Sequence, residues 1–198
     1  MKYWKAVIVA AVFVLGLQHL HIQEIYAKEV VRFHVMANSD AQEDQELKLA
    51  VRDKVGAYVS ELLEGVTTKE ETLRVIEEEL PAIKKVAERE IAKQGFDYSV
   101  TAAIEQVDFP IKEYGPYHLP AGQYTSLQVR IGEADGANWW CVMYPNMCFM
   151  DSTYEVVEGK EKEQMYRVFT LYEYKKLVES PNKEIHFKYF TKLEDALY

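Results

Sequence analysis

Two consecutive stretches with the helical spacing of apolar residues constrain this chain most. They fill residues 40–95 almost completely and end near Gly65 and Gly95, a residue type typical of helix C-termini. Apolar side chains recur every three or four residues in both stretches, which predicts two amphipathic helices that each bury one face. The two stripes are Leu47, Val51, Val55, Tyr58 and Leu62, then Leu73, Ile76, Leu80, Ile83, Ala87 and Ile91.

Polar residues predict where these helices begin. Ser39 and Asp40 are each followed three residues later by Gln or Glu, which is the spacing of a capping box. Thr68 has the same relation to a glutamate and predicts the start of the second helix. Pro81 lies inside the second stripe and predicts a kink there or a split into two helices. The short connection predicts that the two helices pack antiparallel.

Alternating apolar and polar residues predict strands on both sides of the helix pair. The predicted strands are residues 30–37, 98–105, 125–131 and 139–141. An Asp-Gly pair at 135–136 predicts a hairpin turn between the last two strands. Residues 108–123 contain three prolines and two glycines, which predicts a long irregular loop.

These patterns predict a single α+β domain. Its sheet is expected to be mostly antiparallel, a strand–helix–helix–strand meander, with the two long helices packed on one face. The domain is expected to span residues 28–151, and residues 152–198 are expected to extend it with helix and strand. Thr170 predicts the cap of a short helix ending near Val178, although residues 166–174 also alternate as a strand would. Residues 185–190 predict a last strand.

The N-terminal 27 residues have the layout of a signal peptide. Lys2 and Lys5 precede an apolar run over residues 6–17, which is shorter than the roughly 20 residues that a membrane span needs. Ala27 is a suitable residue for cleavage, but Ile25 two positions earlier is a poor one, so an uncleaved N-terminal anchor is the alternative. Both interpretations place the rest of the chain outside the cytoplasm.

The chain is acidic, with a formal net charge of −9. Removal of residues 1–27 would take away two lysines and one glutamate, which makes the remainder one unit more acidic. Nucleic-acid binding requires clustered cations, so an acidic chain of this kind is not expected to bind nucleic acid. Anionic lipid headgroups should also repel it, and membrane contact is expected only through an uncleaved N-terminal segment.

The sheet face opposite the helices should carry mostly polar side chains and is a candidate partner interface. Trp139 and Trp140 are adjacent, so one of them must lie on that face. An aromatic residue among exposed polar groups favours protein binding. Alternatively, the Cys141–Cys148 loop or the C-terminal segment covers the face. The candidate interface residues are Arg32, His34, Gln128, Arg130, Trp139 and Trp140; Ser99, Thr101 and Glu105 would lie on the same face.

The two cysteines, Cys141 and Cys148, are separated by six residues. Structural zinc sites use closer pairs and a second pair elsewhere, and the chain has no other cysteine. In an exported chain, two cysteines most simply form one disulfide. Buried free thiols and a metal site are the alternatives.

We find no catalytic constellation in the sequence. His34 precedes Ser39 and Asp40, but it lies in a predicted strand, and those two residues are better explained as a helix cap. An extracytoplasmic hydrolase that uses His34 or His118 is the competing hypothesis. No metal, cofactor or small-molecule substrate is expected.

Two blocks of this sequence resemble the stage II sporulation protein R family. The first is VVRFHVMANSDAQEDQELKLAVRDKV at residues 30–55, and the second is LPAGQYTSLQVRIGEADGANWWCVMYPNMCF at residues 119–149. The resemblance covers residues 28 to 151 well and the tail only loosely. It implies a signalling protein of endospore-forming bacteria that is exported from the forespore into the intermembrane space. There it would activate a membrane-embedded aspartic protease that removes the pro-sequence of sigma-E in the mother cell. The resemblance implies no catalytic residues.

Overall fold

The first strand of the chain lies in the middle of the sheet. The computed structural model describes residues 23–114, 117–145 and 160–178, with six separate positions between residues 3 and 13. The strands are β1 (Val31–Met36), β2 (Val100–Phe109), β3 (Lys112–Tyr114), β4 (Tyr117–Leu119), β5 (Gly122–Ile131) and β6 (Asn138–Tyr144). Four of them form a sheet in the order β2–β5–β1–β6, and β3 pairs with β4 separately.

The sheet is mixed. Strand β1 runs parallel to β5 and antiparallel to β6, and β2 runs antiparallel to β5. The α+β class is therefore confirmed, but the predicted hairpin between β5 and β6 is wrong because β1 lies between them. The connecting residues cross the end of β1 instead, where the amides of Asp135 and Gly136 donate to the carbonyls of Asn38 and Ala37 at 3.2 and 3.1 Å.

The helices are α1 (Gln42–Leu62), α2 (Lys69–Lys93), α3 (Lys160–Val168) and α4 (Leu171–Val178), and residues 23–29 are also helical. Thr68 caps α2 as predicted, since its hydroxyl accepts from the Glu71 amide at 3.2 Å. Helix α2 continues through Pro81, so the predicted split is wrong. Among the described residues, no helix is long and apolar enough to cross a membrane.

The start of α1 differs from the prediction. Its N-cap is Ala41, and no side chain makes the capping hydrogen bond. Ser39 and Asp40 bond elsewhere: Ser39 donates to Asp44 at 2.6 Å, and Asp40 accepts from the Ala137 amide at 2.6 Å. These polar residues connect the helix to the loop after β5 rather than closing a capping box.

The predicted irregular loop at residues 108–123 is largely strand. Strand β2 continues to Phe109, and β3 and β4 pair antiparallel before β5 begins at Gly122. Pro110 and Pro120 fall between strands, where no amide hydrogen is needed for a sheet hydrogen bond. The predicted helix after Thr170 is confirmed, because the Thr170 amide donates to Glu173 at 2.7 Å and α4 follows. The strand predicted at 185–190 lies outside the described residues.

Apolar side chains form one core on each face of the sheet. On the helix face, α1 and α2 pack against Val31, Phe33, Val35, Leu127, Val129 and Ile131. The other face, here called the cover face, lies under residues 23–29, β3, β4, α3 and α4, which we call the cover layer. Its buried apolar cluster contains Tyr26, Phe109, Tyr117, Leu119, Tyr124, Val142, Met165, Phe169 and Leu177.

Candidate functional site

Strand pairing brings the predicted interface residues of β1 and β5 together on the cover face. Arg32 lies opposite Ser126 of β5, and His34 lies opposite Gln128. On the other side of β1, His34 lies opposite Trp140 of β6. The sheet therefore gathers an arginine, a histidine, a glutamine and a tryptophan into one patch.

This patch is covered, so the prediction of an exposed polar face is wrong. Arg32 is 0% exposed, His34 3% and Gln128 1%. The alternative, in which the C-terminal segment covers the face, fits the described residues: Met165 and Phe169 of this segment belong to the buried cluster on that side. Burial of polar groups is costly unless they are hydrogen-bonded, which makes their partners the central question.

The Arg32 guanidinium lies in a cage of aromatic rings. Its carbon atom lies 4.3 Å from the ring centre of Phe109, 5.0 Å from that of Tyr124 and 5.4 Å from that of Tyr114. Its Nη2 donates to the Tyr114 hydroxyl at 2.7 Å. Its Nε and Nη1 are buried and have no hydrogen-bond partner among the described residues. No ion pair joins Arg32 to a carboxylate within the described ranges, so this cation is held mainly by ring faces.

Burial shifts the protonation equilibria of this cage. It lowers the pKa of Arg32 from its ordinary value, because desolvation disfavours the charged form. Burial also raises the pKa of Tyr124 to about 12, although the nearby Arg32 charge opposes that shift. The arginine is thus the one charged group of the cage at neutral pH, and both tyrosines are neutral.

His34 stacks on Trp140, with ring centres 3.9 Å apart and planes 13° from parallel. Burial lowers the pKa of His34 to about 4, and the positive charges of Arg130 and Arg32 act in the same direction. The Asn138 and Gln128 side chains lie near the ring and partly oppose the shift, but neither ring nitrogen makes a hydrogen bond of normal geometry. His34 is therefore a neutral, buried imidazole at pH 7.

The rim of the patch is formed by a paired arginine. Arg130 Nη1 donates to Glu105 at 3.0 Å, and its Nη2 donates to the other carboxylate oxygen of Glu105 and to Gln128 Oε1. These hydrogen bonds hold the pKa of Glu105 below its ordinary value. Ser99 and Thr101, predicted on the same face, are exposed. The face is thus closed over its centre and open at its β2 edge.

The two tryptophans lie on opposite faces, as the sequence predicts. Trp139 packs edge-on against Phe33 with ring centres 5.6 Å apart, on the helix face. The Arg52 guanidinium lies 5.2 Å from the Trp139 ring centre. Trp140 belongs to the cover face and is half-buried there, so it is not the exposed aromatic residue that the prediction required.

A polar junction that we did not predict joins the two family-like blocks. Asp44 Oδ2 accepts from Ser39 and from Asn38 Nδ2 at 2.8 Å, and Asn38 Oδ1 accepts from the Glu133 amide at 3.0 Å. The hydrogen bonds from Ser39 and Asn38 hold the pKa of Asp44 below its usual range. Lys48 also takes part in the junction, because its Nζ donates to the Ala137 carbonyl at 2.9 Å.

The close approach at this junction requires a glycine. A Cβ atom added to Gly136 would lie 2.2 Å from the Ser39 carbonyl oxygen, which is backbone and cannot move aside. The Asp-Gly pair that suggested a hairpin turn therefore has another role. It allows the loop after β5 to pack against the loop after β1.

The hydrolase hypothesis gains no support from the described residues. His34 bonds neither a hydroxyl nor a carboxylate there. His118 lies on β4, with its Nδ1 3.2 Å from Glu113 Oε1. Among the described residues, no hydroxyl group is hydrogen-bonded to this pair as a nucleophile would be. In the same ranges, no three His, Cys, Asp or Glu side chains cluster as a metal site would require.

The structure describes only one of the two cysteines. Cys141 is 6% exposed on β6. Cys148 lies outside the described residues, so the disulfide between them stays a prediction.

Comparison with known proteins points to one family. The model of a family described as stage II sporulation protein R matches residues 27–154. The chain is similar to the stage II sporulation protein R of Bacillus subtilis (strain 168), with 38% identity over 137 residues. That alignment covers 69% of this chain and 61% of the relative's length. No solved structure matches.

Proposed function

The chain belongs to the stage II sporulation protein R family, and from this premise we propose that it is an exported signalling protein of endospore formation. In this proposal the chain is made in the forespore and crosses the forespore membrane into the intermembrane space. There it activates a membrane-embedded aspartic protease on the mother-cell side. The protease then removes the pro-sequence of sigma-E, which starts transcription in the mother cell.

The family match over residues 27–154 carries this proposal, because it includes the whole sheet and both long helices. The charged start and apolar run of residues 1–27 support export. Acidic composition supports a protein partner rather than a nucleic acid. The chain acts by contact in this scheme, so its own residues need only present a surface.

Reconstitution tests the proposal directly. The purified chain, the protease and its pro-sigma-E substrate are combined in liposomes, and processing is followed by the size of the substrate. We expect processing to depend on the chain and to saturate at a fixed molar ratio to the protease, because a contact activator must remain bound. Processing at background with the folded chain present would contradict direct activation.

The titration also separates contact from catalysis. An enzyme would give the same final processing at ratios far below one chain per protease, because each molecule would turn over. His118→Gln provides a second check, since it removes the more accessible member of the two histidines that a hydrolase could use. We expect this variant to activate the protease as the parent chain does.

A further inference from the structure

The cover face holds five buried nitrogen atoms that make no hydrogen bond of normal geometry within the part of the chain that the structure describes. They are Nε and Nη1 of Arg32, both ring nitrogens of His34, and Nε2 of Gln128. Strand register places the three side chains next to one another. Unpaired buried polar groups are rare in folded proteins, and a cluster of them calls for an explanation.

The missing acceptor should be an anion. Arg32 carries a permanent charge at the centre of the patch, and the guanidinium and carboxamide nitrogens can only donate. At the rim, Arg130 and Glu105 neutralise each other, and both oxygens of Glu105 are already bonded to Arg130. The surrounding rings attract the guanidinium but offer no lone pair to Nε and Nη1. The patch is thus complementary to a carboxylate in charge, in hydrogen bonding and in its dry surroundings.

We propose that Arg32, His34 and Gln128 form a recognition site for a carboxylate on an acidic segment of a protein partner, which binds when the cover layer lifts. The proposal rests on the proposed function, in which the partner is the membrane-embedded protease. Arg32 is the principal donor because its charge strengthens each hydrogen bond. Gln128 orients the second oxygen, and the Trp140 and Phe109 rings line the site.

The cover layer is held in part by a contact between its two ends. Its C-terminal part, α3 and α4, follows the span that matches the family, which ends at residue 154. Tyr26 links this part to the N-terminal segment: its hydroxyl donates to the Glu173 carbonyl at 2.7 Å, and its ring lies edge-on to Phe169 at 5.4 Å. A cut after Ala27 would remove Tyr26 and this contact. Export processing would then loosen the cover over the site.

A pair of peptides tests the site without the protease. An acetylated peptide of alternating Glu and Leu, and its counterpart with Gln in place of Glu, are titrated into the full-length chain and into the chain cut after Ala27, both in a nonionic detergent. Binding is followed by the indole N–H resonance of Trp140, assigned with Trp140→Phe. We expect the acidic peptide to bind on the order of tenfold or more tightly than the Gln peptide, despite the net negative charge of the chain.

Arg32→Met is the decisive variant. It removes the unfilled donors and keeps an apolar stem, so we expect the melting temperature to stay the same or rise while the preference for the acidic peptide disappears. Arg52→Met is the matched control: it removes an arginine that also lies near an aromatic ring, 5.2 Å from the centre of Trp139, but on the helix face, and the preference should persist. Equal binding of the two peptides by the parent chain cut after Ala27, or an unchanged preference in Arg32→Met, would overturn the proposal.

Unfolding of Arg32→Met would show that the caged cation is needed for the fold, and the test then passes to Gln128→Met. That variant should reduce the preference several-fold, and no reduction would overturn the site. The outcome is independent of protease activation. A chain that prefers the acidic peptide but does not activate the protease in liposomes would support the site and contradict the proposed function. A chain that activates the protease without preferring the acidic peptide would contradict the site and support the proposed function.

Discussion

The centres of the two sheet faces are equally buried but chemically different. On the helix face, Phe33 and Val129 pack in an apolar core under α1 and α2. On the cover face, Arg32 and His34 are just as inaccessible to water, yet several of their polar atoms have no partner. Burial on the first face stabilises the fold. Burial on the second face carries a desolvation cost that the ring contacts offset only in part.

This difference shows that polar side chains on one face of an alternating strand are not necessarily exposed to solvent. The alternation correctly separates the two faces of β1. What covers the polar face comes from residues far along the chain, such as Phe169, which local patterns cannot place. The following predictions test whether the two faces contribute to the stability of the fold as differently as their chemistry implies.

The largest effect is expected on the helix face. Phe33→Ala removes a fully buried ring and its edge contact with Trp139, and should lower the free energy of unfolding by about 3–5 kcal/mol. Urea unfolding measures the loss. Ile111→Ala is the control, because Ile111 is 59% exposed and should change stability by no more than about 0.5 kcal/mol. Similar losses in both variants would remove the basis of the comparison.

On the cover face, His34 should make stability depend on pH. Its pKa is about 4 in the folded chain against 6.5 for the free side chain, so the unfolded state binds more protons between these values. The contribution is fully present above about pH 6.5 and is lost as the pH falls to about 4, by roughly 2–3 kcal/mol.

Urea unfolding at a series of pH values checks this expectation. His34→Phe keeps an aromatic ring against Trp140 and should flatten the profile in that window. His118→Gln retains His34 and should leave the slope in place. A His34→Phe profile as steep as that of the parent chain would mean that another group titrates there.

Asp44 is a buried carboxylate whose Oδ2 accepts two hydrogen bonds, which provides a contrast with the single hydrogen bond of Arg32. Asp44→Asn keeps the size of the side chain but weakens the bonds from Ser39 and Asn38, and should lower the free energy of unfolding by about 1–3 kcal/mol. Glu43→Gln is the control in the same helical turn, on an exposed side chain. Equal melting temperatures for the two variants would show that the junction between the blocks is not stabilising.

The smallest effect is expected at the rim of the cover face. Arg130 and Glu105 are 33% and 40% exposed in their side chains, so solvent screens their ion pair. A double-mutant cycle with Arg130→Met and Glu105→Gln should give a coupling energy below about 1 kcal/mol. A larger value would indicate that the rim is as desolvated as the centre.

The sequence predicted the elements that depend on local periodicity. Both long helices, the four strands of the main sheet and the cap of α4 follow from spacing, and the opposite orientations of Trp139 and Trp140 follow from strand geometry. The topology did not follow, because nothing local to the Asp-Gly pair shows that β1 lies between β5 and β6. The β3–β4 pair did not follow from the sequence, because prolines usually exclude strands, whereas here Pro110 precedes β3 and Pro120 follows β4.

The sequence predicted which residues form the candidate site but not that most of them are buried. Arg32, His34, Gln128 and Arg130 do share one face, and the sequence could not show that the first three are buried. Charged residues are rarely buried without a counter-ion, so the sequence predicts that Arg32 is exposed. Departures of this kind are expected at functional positions.

Native-state hydrogen exchange tests the central claim, that the cover opens separately from the rest of the fold. In this measurement the full-length chain is exchanged at increasing sub-denaturing urea, and protection is compared for amides of α3 and α4 with those of α1, α2 and β1. The account predicts that α3 and α4 exchange through a smaller opening of lower free energy, while the helix face exchanges only by global unfolding. A single common opening for both layers would contradict it.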